Sequence, residues 1–330
     1  MKLYLNQLLD NQSLTKQQAQ EALLKIGQGE VNNSQIAAFL VGIQQKGITV
    51  DELEGFREAM LDLAVPIDLS AFDAMDIVGT GGDGKDTFNI STTSAFVIAG
   101  AGQNVAKHGN HGVSSSVGSS TVLEYLGVKF TNDEGYLKQK LETAGICYMH
   151  APLFHPAMKY VAPIRKELGM KTFFNILGPL LNPAKVQKQF SGVYNLTVFD
   201  LYAQLFGRTA AKFGIIYDLA GYDEISLTHD FQISTHINKD KSIVSYKNFG
   251  FLSQQQSDIY GGGTIEESAA ILLNVLKNEA SEAQINVVLA NAGLALSIAK
   301  DISIEEGIAQ AKDSLLSGKA YLCFKKLIES

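Results

Sequence analysis

Between residues 79 and 120 the chain gathers glycines, hydroxyls, a lysine and a carboxylate into three short polar segments. They read Gly79-Thr80-Gly81-Gly82-Asp83, then Asn89-Ile90-Ser91-Thr92, then Lys107-His108-Gly109-Asn110 with Ser114-Ser115-Ser116 and Gly118-Ser119-Ser120 close behind. Glycine lets a backbone turn with φ > 0 and approach a ligand closely, so that N–H groups converge on an anion. Serine and threonine add hydroxyl donors, lysine a point charge, and aspartate can organise a metal or a sugar hydroxyl. Three such segments within roughly forty residues predict one site for a ligand bearing several phosphates. Two further features have ordinary readings when taken alone. Asp223 and Glu224, in Gly221-Tyr222-Asp223-Glu224, read as a solvated turn, and Arg165, in Ile164-Arg165-Lys166-Glu167, as the exposed face of a helix.

The elements around these segments follow from periodicity. Thr15 with Gln18 and Thr49 with Glu52 are capping boxes, each opening a run of apolar residues at helical spacing. Ile36, Leu40 and Ile43 mark a helix between them, Gly47 stops it, and Pro66 closes the segment. Residues 1–66 are therefore expected to form a small helical domain, with about 155–185 contributing to it. Residues 67–330 are expected to form a large α/β domain with a central, mostly parallel sheet flanked by helices. There, 75–78 and 104–106 are short strands that run directly into the first and third polar loops, and 93–100 and 121–126 are helices. Further strands are expected at 127–130, 146–149, 189–194, 213–217 and 242–246, with helices at 265–276 and 287–299. Strand, loop, helix is the order of a sheet whose ligand sits at the carboxyl ends of its strands.

Composition narrows the function. Apolar residues make up 46% and charged residues 18% of 330, as in a globular protein with a substantial core. A net charge of −7 argues against nucleic acid, whose binding normally shows as a basic surplus. No run approaches the ~20 apolar residues of a membrane span, and the N-terminus lacks the apolar run of a signal peptide. Cys147 and Cys323 stand alone, which suits a reducing, cytoplasmic setting better than a disulfide. The histidines form no cluster with cysteines or carboxylates of the kind that binds zinc.

Taken together, GTGGD at 79–83, NIST at 89–92, KHGN at 107–110, the segment from Arg165 to Gly169, FNILGPLLNP at 174–183 and the Asp223-Glu224 pair resemble the anthranilate phosphoribosyltransferase family. That family is related in fold to pyrimidine nucleoside phosphorylases. The resemblance covers essentially the whole chain. It implies transfer of phosphoribosyl from phosphoribosyl pyrophosphate to the amine of anthranilate, releasing pyrophosphate, in tryptophan biosynthesis.

The resemblance also implies roles. The donor would bind Gly79, Gly82, Asp83, Thr87, Asn89, Ile90, Ser91, Thr92, Lys107, His108, Gly109, Asn110, His111, Gly112, Val113, Ser114, Ser115 and Ser119. Asp223, Glu224 and Ser91 would hold two Mg²⁺ ions bound with it. Arg165 would take the anthranilate carboxylate, with Asn110 and Gly79 also facing the acceptor and Gly178 lining its entrance channel. Lys107, His108, Arg165, Asp223 and Glu224 are the implied catalytic set, with His108 either a base or a scaffold. The acceptor would bind in a cleft between the domains, and the helical domain would make a homodimer. Three departures from the family pattern bear on donor affinity: His111 where arginine or lysine is more frequent, Ser120-Thr121 for Ala-Asp, and Lys171 for arginine. The alternatives are a pyrimidine nucleoside phosphorylase-like enzyme and a non-catalytic relative that binds nucleic acid.

Overall fold

The structure is a computed structural model that describes residues 1–112 and 117–329. The chain divides into two compact units, one of Met1–Ile67 with Ala151–Lys185, the other of Asp68–His150 with Val186–Ser330.

The first unit is helical. It opens with α1 (Lys2–Leu9), α2 (Lys16–Gly27), α3 (Asn33–Lys46) and α4 (Val50–Asp62). Both expected capping boxes form, Thr15 with Gln18 at the start of α2 and Thr49 with Glu52 at the start of α4. The aromatic core of this unit joins sequence-distant parts: Phe56 of α4 stacks on Phe173 with centroids 4.3 Å apart, and Phe39 meets Phe56 edge-on at 5.8 Å.

The second unit carries a seven-stranded sheet. Its strands are β1 (Met75–Gly79), β2 (Val105–Gly109), β3 (Ile146–His150), β4 (Lys188–Gly192), β5 (Lys212–Asp218), β6 (Phe231–Thr235) and β7 (Ser242–Val244), in spatial order β3-β2-β1-β4-β5-β6-β7. The first five run parallel; at one edge β6 pairs antiparallel with β5, and β7 antiparallel with β6. Flanking helices are α5 (Ile90–Gly100), α6 (Ser119–Tyr125) and α7 (Glu134–Ala144). The first unit then contributes α8 (Ala151–Phe154), α9 (Ala162–Leu168) and α10 (Phe174–Leu177). The chain finishes in the second unit with α11 (Leu196–Gly207), α12 (Ile265–Leu276), α13 (Glu282–Lys300), α14 (Ile304–Leu316) and α15 (Lys319–Ile328). By length and composition α13 could cross a membrane, contrary to the expectation that no segment could. Its residues from Val287 to Ala299 are buried, so it serves as a core helix.

Two expectations fail locally. Residues 127–130 are not a strand: Gly127, at φ +90°, ends α6 and Asp133 caps α7, so the intervening residues make only a crossing. Strand β6 is an addition the sequence reading lacked. The parallel order puts β1 between β2 and β4, so the chain leaves β1 toward one side and later returns on the other. That switch point opens a crevice at the strands' carboxyl ends.

Candidate active site

Loops following β1, β2 and β5 meet at this crevice. The loop after β1 turns at Gly81 and Gly82, with φ of +66° and +81°, values that favour glycine. Its Gly81 N–H donates to Asp223 Oδ2 at 2.6 Å, which ties the loop to the segment after β5. The approach is close. A Cβ on Gly192 would lie 1.6 Å from the Asp223 carbonyl oxygen, and Thr80 N–H donates to the Gly192 carbonyl at 3.0 Å.

Two buried clamps hold the acidic segment. Asp218, at the end of β5, accepts from Ala220 N–H (2.8 Å), Ser226 N–H (3.1 Å) and the Ser226 hydroxyl (2.6 Å). Asn291 of α13 accepts from Ile225 N–H at 3.0 Å and donates to the Ile225 carbonyl at 2.8 Å. Between the clamps Asp223 is buried and Glu224 half-buried. The acidic pair is therefore a held structure and not a solvated turn.

Asp83 joins it. One carboxylate oxygen from each of Asp83, Asp223 and Glu224 lies within 4.8 Å of the others. Burial, and next the charge of Asp83, push the Asp223 carboxyl up to about 7, while the Gly81 amide pulls it back. Glu224 is raised well above its ordinary value by burial, then by Asp223 and Asp83, although it accepts a hydrogen bond from the Thr87 hydroxyl. Burial also raises Asp83, whose Oδ1 accepts from Lys85 N–H at 3.2 Å. Its buried Oδ2 has no hydrogen-bond partner among the described residues. Partly or fully buried carboxylates that crowd one another and keep an unfilled lone pair match what a hard divalent cation takes. The residues present fit a magnesium site, and Asp83 belongs in it as well as in the donor loop.

Lys107 projects from β2, almost fully buried, and its Nζ donates to the Ile77 carbonyl and to Ser91 Oγ (3.4 Å). Burial lowers its pKa to about 8, against the pull of Asp76 and Glu224. His108 is buried in the same strand, and its N–H donates to Asp76 Oδ1 at 3.3 Å. Asn89 precedes α5 without capping it through its side chain, which turns instead to the Val117 carbonyl at 3.3 Å. Buried Thr92 Oγ1 and Thr80 Oγ1 lack partners among the described residues; Thr80 stands in the first polar segment but outside the implied site residues. Unfilled hydroxyls beside a helix N-terminus suit an anion. Gly79, Asp83, Thr87, Ser91, Lys107, Asp223 and Glu224 are thus linked in one unit. Asn110, His111 and Gly112 lie exposed on the neighbouring loop after β2, and Ser119 opens α6. Val113, Ser114 and Ser115 fall outside the described residues.

Arg165 belongs to the helical unit, on α9. Its Nη2 donates to Asn175 Oδ1 at 3.2 Å, its guanidinium lies 5.4 Å from the Phe174 ring centre, and its buried Nε has no hydrogen-bond partner among the described residues. Sequence reading missed Asn175, as it missed Asp218 and Asn291. Side-chain clamps of this kind leave no spacing signature.

A helical bundle with a mostly parallel α/β unit, and an acidic cluster beside a glycine-rich loop, define a transferase class. Residues 2–64 match the helical bundle domain of the glycosyl transferase family, and residues 71–321 its a/b domain. Among curated proteins, the anthranilate phosphoribosyltransferase of Cytophaga hutchinsonii is 52% identical, covering 100% of both chains. That of Christiangramia forsetii is 51% identical over 99% of this chain and 98% of its own. The crystal structure of the Thermus thermophilus anthranilate phosphoribosyltransferase superposes with a TM-score of 0.92 at 33% identity, covering 98% of each chain. The Saccharomyces cerevisiae enzyme in complex with PRPP and Mg gives 0.90 at 26% identity, covering 98% of this chain and 96% of that one. The chain belongs to the anthranilate phosphoribosyltransferase family.

Proposed function

We propose that this chain transfers the phosphoribosyl group of phosphoribosyl pyrophosphate to anthranilate, giving N-(5-phosphoribosyl)anthranilate and pyrophosphate on the route to tryptophan. The observation that carries the reading is the trio of buried Asp223 and half-buried Asp83 and Glu224 at the glycine-rich loop. A nucleoside phosphorylase working with inorganic phosphate has no use for such a cluster.

In this reading the glycine-rich loop, residues 89–92 and Lys107 hold the donor phosphates, with Asn110, His111 and Ser119 completing that side. Two magnesium ions held by Asp83, Asp223, Glu224 and Ser91 would neutralise the departing pyrophosphate. The C1–O bond to pyrophosphate breaks as the anthranilate nitrogen bonds to C1, and the aniline proton passes to solvent. That nitrogen is already a neutral nucleophile, so the chain's task is positioning and leaving-group stabilisation, and His108 serves as scaffold. Arg165 pairs its planar fork with the acceptor carboxylate. A homodimer through the helical unit is part of the proposal, supported by exposed Leu3, Leu9 and Val41. A cytoplasmic setting is also part of it, in keeping with two free cysteines.

The test is pyrophosphate release from phosphoribosyl pyrophosphate with and without anthranilate, whose fluorescence falls on conversion. Release that depends on anthranilate and magnesium is expected. Equal release without anthranilate would sink the reading.

A further inference from the structure

The loop after β2 is held by a chain of side chains of which only Ser119 has so far been given a role. Ser119 Oγ contacts the Asn110 carbonyl at 3.2 Å and Tyr148 Oη at 2.9 Å. Tyr148 Oη also contacts Ser120 Oγ at 2.7 Å, and Ser120 Oγ contacts His150 Nδ1 at 2.9 Å. Tyr148, Ser120 and His150 are all buried. Tyr148 and His150 stand on β3, where His150 pairs in register with Gly109. The chain fills the space beside that glycine: a Cβ at 109 would meet Tyr148 Oη at 2.3 Å and Ser119 Oγ at 2.7 Å.

One direction makes a hydrogen bond of every contact in the chain. Four contacts need four hydrogens, a carbonyl supplies none, and three hydroxyls supply one each. The fourth must come from His150, so Nδ1 carries a proton. Ser119 then donates to the Asn110 carbonyl, Tyr148 to Ser119, Ser120 to Tyr148, and His150 to Ser120. No hydroxyl can reverse without setting two lone pairs face to face. The His150 ring is itself fixed, stacked on Phe130 with centroids 4.6 Å apart and met edge-on by His111 at 4.9 Å.

We propose that His150 is a positioning residue for the donor site: as Nδ1–H donor at the head of a one-way chain, it helps the Ser120 N–H, which donates to the same carbonyl at 3.2 Å, to set the Asn110 carbonyl and with it the loop of residues 109–112. The inference rests on the reading above, in which this loop faces the phosphoribosyl donor. It also gives a use to buried Ser120, which supplies the middle hydroxyl. Such a chain strengthens along its length, so the loss of polarity at its head is felt at the far end.

Three variants that all lose the ring separate polarity from packing. His150→Asn keeps an N–H near the Nδ1 position, His150→Asp offers acceptors there, and His150→Leu offers neither. At pH 8 we expect the Asn variant to keep the KM for phosphoribosyl pyrophosphate within about threefold of the parent enzyme. The Asp variant should raise it about tenfold, with kcat and the KM for anthranilate little changed. Ser120→Ala should raise the same KM, and adding it to His150→Asp should cost nothing further, because both break one chain. Equal KM values for the Asn, Asp and Leu variants would overturn the proposal, leaving His150 a packing residue. Nitrogen-15 NMR of the histidines in the parent protein tests it without any variant. Protonated Nδ1 on His150 is expected, and a neutral ring protonated only at Nε2 would overturn it. Failure of the functional reading shows separately, as absence of transfer by the parent enzyme.

Discussion

Glu52 and Glu224 are both withdrawn carboxylates, one in the helical unit and one in the α/β unit, and their surroundings differ in kind. Glu52 is fully buried and fully answered: Lys46 Nζ donates at 2.8 Å, Thr49 N–H at 2.8 Å, Leu14 N–H at 2.9 Å and the Thr49 hydroxyl at 3.1 Å. Glu224 has the Thr87 hydroxyl and the attraction of Lys107, set against two more carboxylates within 4.8 Å. A buried charge surrounded by donors holds a fold together, whereas crowded like charges cost stability and persist where something outside the chain answers them. The same side chain is structural in one unit and functional in the other, and its neighbours decide which.

The sharpest way to break that contrast is to neutralise each glutamate. Glu52→Gln strands Lys46, itself 5% exposed, without its counter-charge. Removing one partner of a buried pair costs about 3–5 kcal/mol, so denaturant unfolding should shift strongly toward lower concentration. Glu224→Gln should do the reverse. Relief of like-charge repulsion should leave the metal-free protein at least as resistant to heat as its parent. Meanwhile kcat should fall roughly a hundredfold, about 3 kcal/mol, from the lost hold on the leaving group. If Glu224→Gln unfolded early and kept its kcat, the two carboxylates would be alike and the distinction would fail.

Some of this division is legible in the sequence. The capping box at Thr49 names Glu52 as a helix-start residue, because reciprocal side-chain and backbone bonds within four residues leave a local pattern. The glycine loop, the segment at 89–92 and the lysine loop are legible for the same reason, each being a contiguous run that follows a strand. What the sequence hides is non-local. Asp83 and the Asp223-Glu224 pair meet only because β1, β4 and β5 are neighbours in the sheet, an adjacency no spacing reveals. Asn291 and Asp218 look like ordinary residues of a helix and a strand until their side chains are seen gripping the acidic segment. The mistaken strand at 127–130 shows the opposite error. Its apolar residues are inward-facing as expected, but Phe130 packs on Tyr148 and His150 from a loop.

A second contrast sets the acid cluster against Arg165, a cation held by a neutral amide and a ring face. If the acids act on the leaving group and Arg165 on the acceptor, their variants should separate in steady-state kinetics. Arg165→Ala should raise the KM for anthranilate ~10- to 150-fold, as for loss of a charge-assisted pair of roughly 1.5–3 kcal/mol, and leave the KM for phosphoribosyl pyrophosphate nearly unmoved. A donor KM that rose while the acceptor KM held would remove Arg165 from acceptor recognition.

The smallest expected effect is the most discriminating, because it concerns how Arg165 is aimed and not whether it is charged. Asn175 Oδ1 accepts from both Arg165 Nη2 and, at 2.9 Å, Thr172 N–H, so one amide oxygen joins the guanidinium to the loop before α10. The 3.2 Å bond to Arg165 is long for a charged donor and belongs at the lower end of the range, about 1 kcal/mol. Phe174 still supports the guanidinium from one face when that bond is gone, so Asn175→Ala should loosen the fork without displacing it. The KM for anthranilate should rise about fivefold with kcat nearly constant, because an acceptor already bound is aimed by its own carboxylate. Combining Asn175→Ala with Arg165→Ala should add little to the arginine variant alone, since the amide acts through the residue already removed. Additive losses would mean that Asn175 meets the acceptor directly, and Arg165 would then be one half of a two-residue contact.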